Sequence, residues 1–263
     1  IGSLRLPYNQ RHRRMQCRVV LCLLLLMLSW RVKSQSRRKH RQKPKTNGIL
    51  NEVKMEVAFL VDSSEKATML LFERQKDFVL RFSTRLMQLQ VPDWRMRVRL
   101  AILQYSSTVS VEHNFRDWQD IDVFQSKVYA MSYIGHGTYS AYAISNVTQL
   151  FTRETDASSL RAAILLTDGV DHPRSPSTVS AAADAKNRNI RMFAIGLSGP
   201  RLDDQDYDRL RSIASAPPQQ HLFSLIDTQL DDKLYREMVS IWSLGSDNGE
   251  MMQSVSQSAS TSM

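Results

Sequence analysis

The residues best suited to chemistry are two aspartates and the hydroxyls around them. Asp62-Ser63-Ser64 closes a short apolar run, Thr138 follows Gly137 in a later loop, and Asp168 stands between Thr167 and Gly169 at the end of a second apolar run. Carboxylates and hydroxyls without sulfur or imidazole are hard oxygen donors, which suit Mg²⁺ with waters completing its octahedron. Asp and Ser also cap helices at strand-to-helix turns, so residue type alone leaves both roles open.

Histidine adds little to this set. His113, His136, His172 and His221 fall in separate segments, and none stands at metal-ligand spacing from another His or Cys. Structural or surface roles follow for all four, although His136, two residues before Thr138, is placed to touch a partner and lend pH sensitivity. No Gly-x-Ser-x-Gly elbow, dinucleotide glycine motif, phosphate loop or His-Glu-x-x-His is present. A secreted α/β hydrolase using Asp62 and Asp168 is the enzyme-class alternative, and it lacks a nucleophile with a histidine partner. The expectation is a protein without catalytic residues.

These oxygens need strands and helices to bring them together. Residues 55–61 (MEVAFLV) form a continuous apolar run that predicts a buried parallel strand. From Met69 to Leu89, apolar residues recur at three-and-four spacing, the face of one helix. Residues 98–106 and 108–113 predict an antiparallel hairpin. Helices are expected over 121–130, 141–151, 177–187, 206–215 and 229–242, with strands over 160–167, 190–197 and 222–225. This alternation predicts an α/β fold, a doubly wound and mostly parallel sheet with one antiparallel edge strand. In such sheets ligands bind beyond the carboxyl ends of the strands, where the three polar loops lie.

Charge divides the chain. Lys and Arg number 35 against 26 Asp and Glu, a net +9, yet the first 54 residues carry 14 basic residues and one acid. The other 209 carry 21 against 25, a net −4. The basic character belongs to one end, which argues against a nucleic-acid-binding domain. Residues 1–14 read as upstream sequence without a fold. Residues 15–34 have the layout of a secretory signal peptide, a basic start followed by a 12-residue apolar run, too short for a membrane-spanning helix. Both cysteines, Cys17 and Cys22, lie inside it, so the mature chain is expected to hold together by packing alone.

Residues 35–54 read as a basic, disordered linker. Within it Arg37, Arg38, Lys39, Arg41, Lys43 and Lys45 form a strip that is a solvated leader, a site for heparin-like glycosaminoglycans or a proprotein-convertase site. Residues 243–263 are polar and Ser-rich, a flexible tail. Asn146-Val147-Thr148 is a sequon for N-glycosylation inside a predicted helix.

The segments FLVDSSE, RLAILQYSS, GHGTYSAYAI, AAILLTDGVDHP and IRMFAIGLSG, in this order and spacing, resemble a von Willebrand factor A domain, above all those of collagens of types VI and XXVIII. The resemblance covers residues 55–242. It implies a Rossmann-like sheet, a secreted protein of the extracellular matrix or basement membrane, a role in adhesion or matrix assembly, and a metal-ion-dependent adhesion site. Its Asp-x-Ser-x-Ser motif falls on Asp62, Ser64 and Lys66, its threonine on Thr138 and its second aspartate on Asp168. Lys66 replaces a coordinating serine with an ammonium. That side chain either points to solvent and leaves a weakened site, or turns inward to neutralise Asp62 and Asp168. Mg²⁺ is therefore expected to bind weakly or not at all. Extracellular matrix proteins are the expected partners, with oligomers arising through a collagenous region outside this chain. The runner-up is a freestanding secreted adhesion module with a functional Mg²⁺ site.

Overall fold

The computed structural model describes residues 51–89, 94–168, 170–198 and 204–240. The expected signal peptide at 15–34, the basic strip from Arg37 to Lys45, Gly169 and the tail from 243 to 263 lie outside the described residues.

Six strands form one sheet in the order β3-β2-β1-β4-β5-β6. They are β1 (Asn51–Asp62), β2 (Trp94–Tyr105), β3 (Val109–His113), β4 (Leu160–Thr167), β5 (Ile190–Gly196) and β6 (Leu222–Ser224). All neighbours are parallel except β2 and β3, which form the expected antiparallel edge. The helices are α1 (Thr68–Met87), α2 (Ile121–Ala130), α3 (Ser140–Glu154), α4 (Thr178–Asn187), α5 (Asp204–Ile213), the single turn α6 (Pro218–His221) and α7 over residues 230–240.

The unbroken apolar run of β1 follows from its place in the middle of the sheet, where both faces are covered. Side chains alternate between two cores. Val57, Phe59 and Val61 pack with α1, α2 and α7, alongside Phe72, Phe78, Phe82, Phe124 and Leu234. Ala58 and Leu60 face α3, α4 and α5, alongside Ile144, Val147, Phe151, Ala182 and Leu210. Ala58 stands beside Ala101 on β2 and Ala163 on β4, a row of small residues across the sheet. Small side chains on that face let Ala143 of α3 and Ala182 and Ala185 of α4 come close.

Two strands are longer than their apolar runs. Strand β1 starts at Asn51 rather than Met55, and β2 at Trp94 rather than Val98. The four added residues of β1 pair with Trp94 to Arg97, and the polar side chains there find partners across the edge, with Arg97 Nη1 3.1 Å from Glu52. An apolar run marks only the covered part of a strand. The linker boundary expected at residue 54 therefore moves back, because residues 51–54 belong to the sheet.

Candidate functional site

Strands β1 and β4 are neighbours, but the chain leaves β1 toward β2 on one side and leaves β4 toward β5 on the other. The loops after them diverge, which opens the crevice at which doubly wound folds bind ligands. Asp62 is the last residue of β1, and Asp168 directly follows β4.

A dense set of hydrogen bonds fixes the loop after β1. Gln75 of α1 clamps Asp62 through its backbone: the Asp62 amide donates to Gln75 Oε1 and Gln75 Nε2 donates to the Asp62 carbonyl, both at 2.8 Å. The Ser63 amide donates to the Tyr105 carbonyl. Ser63 Oγ accepts from the Ile134 amide at 2.8 Å, and the Ser63 carbonyl accepts from Gly135 at 2.8 Å. Tyr133 Oη donates to the Ser64 carbonyl at 2.9 Å, and the Glu65 amide donates to the His136 carbonyl at 2.8 Å. The segment 133–136 is thus zipped along 63–65, and this brings Thr138 to the Asp62 end. Gly135 has φ +78°, and a Cβ there would stand 2.9 Å from the Tyr133 ring, so the turn that carries Thr138 needs glycine.

The backbone is satisfied, but the side chains that point into the crevice are not. Asp62 Oδ1 accepts from the Ser64 amide at 2.9 Å, whereas Asp62 Oδ2, Ser64 Oγ and Thr138 Oγ1 are buried without a hydrogen-bond partner. Asp168 Oδ1 accepts from the Val170 amide at 3.0 Å. Burial, and next the charge of Asp168, push the Asp62 carboxyl up to about 7, against the pull of Ser64. Burial also raises Asp168, opposed by the Val170 amide and by the Lys66 ammonium. A carboxylate and two hydroxyls orphaned in this way are rare in a folded protein. Oxygen donors beside a second carboxylate fit a hard divalent cation, which would relieve both the desolvation and the repulsion.

Lys66 takes neither of the two expected courses in full. Its Nζ donates to the Val170 carbonyl at 3.2 Å, so the side chain spans from the first loop to the loop after β4. It lies near enough to lower Asp168 but forms no ion pair with Asp62 or Asp168 among the described residues. Thr68, the first residue of α1 after that loop, has φ 47°, a left-handed conformation that a β-branched residue adopts only under constraint.

Asp62, Ser64, Thr138 and Asp168 therefore meet at one end of the sheet, as their spacing suggested. Three supporting residues escaped the sequence reading. Gln75 carried a usable signal, since it falls on the core stripe of α1 with Phe72, Val79, Phe82 and Leu86, where a polar side chain needs a partner. Tyr133 carried none. Nor did Asp171, whose carboxylate accepts from the amide and hydroxyl of Ser140 and from Thr178 Oγ1, joining the starts of α3 and α4. Of the histidines, His113 and His221 are buried, and His136 is exposed on the rim. His172 stacks on Tyr139 with ring centroids 5.1 Å apart and receives its hydroxyl at 3.0 Å.

Relatives share this framework. Mouse matrilin-3 is 29% identical over 183 residues, covering 67% of this chain and 35% of the matrilin. Mouse integrin alpha-X is 27% identical over 191 residues, covering 68% of this chain and 16% of the integrin. The chicken collagen alpha-2(VI) chain is 29% identical over 170 residues, covering 61% and 16%. The chain thus spans about a third or less of the length of these relatives. Proximal thread matrix protein 1 from the mussel byssus shares the fold, with a TM-score of 0.52 at 18% identity over 75% of this chain and 47% of that one. The family model described as the von Willebrand factor type A domain matches residues 56–236, and this chain belongs to that family.

Proposed function

We propose that the rim formed by Asp62, Ser64, Thr138 and Asp168 binds a partner protein of the extracellular matrix, with Mg²⁺ held weakly. The observation that carries this reading is the set of three buried, unpartnered oxygens on Asp62, Ser64 and Thr138 at the switch point of the sheet. They fit a cation, and Lys66 opposes one. An ammonium close to a divalent ion is electrostatically unfavourable, so Lys66, held at Val170 in the neighbouring loop, lowers affinity for one. The site is degenerate in that sense.

The kinship with matrilins and a collagen chain supports a secreted matrix protein, type XXVIII collagen being the finer assignment suggested by the sequence. Binding rather than catalysis is the role, since the Ser64 and Thr138 hydroxyls beside the two aspartates have no histidine bonded to them as a base. The strip from Arg37 to Lys45 adds affinity for heparin-like polyanions, and oligomers form through a collagenous region outside these residues.

Titration of the purified chain with Mg²⁺ or Mn²⁺ by calorimetry tests the metal part. We expect affinity weaker than micromolar and a clear gain in Lys66→Ser. The orphaned oxygens favour a second reading, a module with a fully functional Mg²⁺ site, and micromolar binding by the unaltered chain would establish it. Retention on matrix protein that survives chelation but is lost in Thr138→Ala supports the partner role, and retention unchanged in that variant overturns it.

A further inference from the structure

The sequon Asn146-Val147-Thr148 is the only Asn-x-Ser/Thr in the 263 residues. The structure places it in the middle of α3, where its two chemical groups face opposite ways. Asn146 is exposed, on a solvent face with Tyr142, Ser145 and Gln149, and its Nδ2 donates to the Tyr142 carbonyl at 2.8 Å. Thr148 is buried among Ile144, Val147 and Phe151, and its hydroxyl donates to the Ile144 carbonyl at 2.7 Å.

We infer that Asn146 carries an N-linked glycan, added before α3 forms. The acceptor motif requires both the amide and the hydroxyl two residues on, so the transferase must reach both. In the folded helix the hydroxyl is out of reach, whereas in the extended chain both are accessible. The reaction needs a lipid-diphosphate-linked oligosaccharide as donor. The Nδ2 lone pair forms the new bond to the anomeric carbon, the bond from that carbon to the diphosphate oxygen breaks with its electrons on oxygen, and one Nδ2 proton leaves to a base. One Nδ2 hydrogen remains on the amide.

Folding then accommodates the product. The glycan projects from the exposed face of α3 that carries Tyr142, Ser145 and Gln149, while the apolar face of α3 stays in the core. Asn146 lies six residues beyond Ser140, about 9 Å along the helix axis at 1.5 Å per residue. A glycan there stands on the outer flank of α3.

The inference rests on the secretory reading, and the experiment separates the two. The full chain is translated with microsomes, once with its own amino-terminal segment and once behind a foreign secretory leader, and scored for protease protection and for a mass shift removed by peptide N-glycosidase. A shift in protected chains that is absent in Asn146→Gln and Thr148→Val but kept in Thr148→Ser supports the inference, because valine preserves the volume of threonine without its hydroxyl. Protected chains without a shift overturn it and leave secretion intact. If only the foreign leader gives protection, with the shift, the site stands and the secretory reading fails. Equal modification of chain folded before exposure to the transferase overturns the claim that addition precedes folding.

Discussion

The buried stretch of β1, residues 55–62, holds two carboxylates near its opposite ends, and they are treated in opposite ways. Glu56 is 1% exposed and receives two bonds from Arg99, at 2.9 and 2.7 Å, while Arg99 also donates to the carbonyls of Phe115 and Glu154. Asp62 is 0% exposed, six residues on, and one of its oxygens has no partner. Both sit in the same sheet with the same neighbouring strands. The amino-terminal end resolves its charge with a fork of matched geometry. The carboxyl-terminal end leaves it unresolved and holds the loop around it rigid through Gln75, Ser63 and Tyr133. A buried carboxylate oxygen left without a partner beside a second carboxylate supports the proposed cation site.

The contrast predicts opposite signs for two substitutions. Arg99→Met strands a buried carboxylate and should lower unfolding free energy by about 3–5 kcal/mol, read by urea denaturation, with much of it recovered in the Glu56→Met/Arg99→Leu double variant. Asp62→Asn removes a charge that lacks a partner. In the absence of divalent ions it should raise stability by about 1–3 kcal/mol while abolishing any Mg²⁺ response. Equal destabilisation by both would erase the distinction between the two ends.

Strain follows the same division. Thr68 at φ 47° opens α1 just after the loop beside Asp62, and Thr68→Gly should stabilise the fold by about 1 kcal/mol, measured as a rise in denaturation midpoint. No gain would mean that Thr68 is not strained.

Two buried histidines repeat the comparison. His221 Nδ1 bonds to the Pro217 carbonyl at 2.9 Å, whereas both ring nitrogens of His113 are unpartnered between Trp118 and Phe124. Burial lowers both from the usual 6.5. A depressed histidine binds fewer protons folded than unfolded, so its contribution to stability is whole above 6.5 and is lost as pH falls below that value. Asp62, raised to about 7, works in the other direction without metal, losing stability as pH rises toward 7, so the measurement belongs in the Asp62→Asn background. Between about pH 7.5 and 5.5 that protein should lose stability, and His113→Phe should flatten the slope. An unchanged slope would remove His113 from the comparison.

The smallest effect is expected where the ion pair is exposed. Lys54 and Asp156 stand 2.5 Å apart with both side chains well solvated, and Lys54→Ala should leave the urea denaturation midpoint essentially unchanged. A loss comparable to that of Arg99→Met would show that burial is not what separates these pairs.

Much of this arrangement was legible before the structure. Buried runs such as LRAAILLT and IRMFAIG announce parallel strands because their neighbours cover both faces, and helix α2 begins and ends where its pattern does. The polar ends of β1 and β2 were not legible, because a strand edged by charge has no apolar signature.

The sequence by itself determined the alternation of elements, the family, and which oxygens stand at strand ends, since these depend on local pattern and order along the chain. Only the tertiary structure decided that Glu56 is answered and Asp62 is not, that Lys66 reaches Val170, and that Asn146 faces solvent while Thr148 faces the core. Those outcomes depend on groups up to 104 residues apart in the chain meeting at atomic distance, and no local pattern encodes a partner that far away.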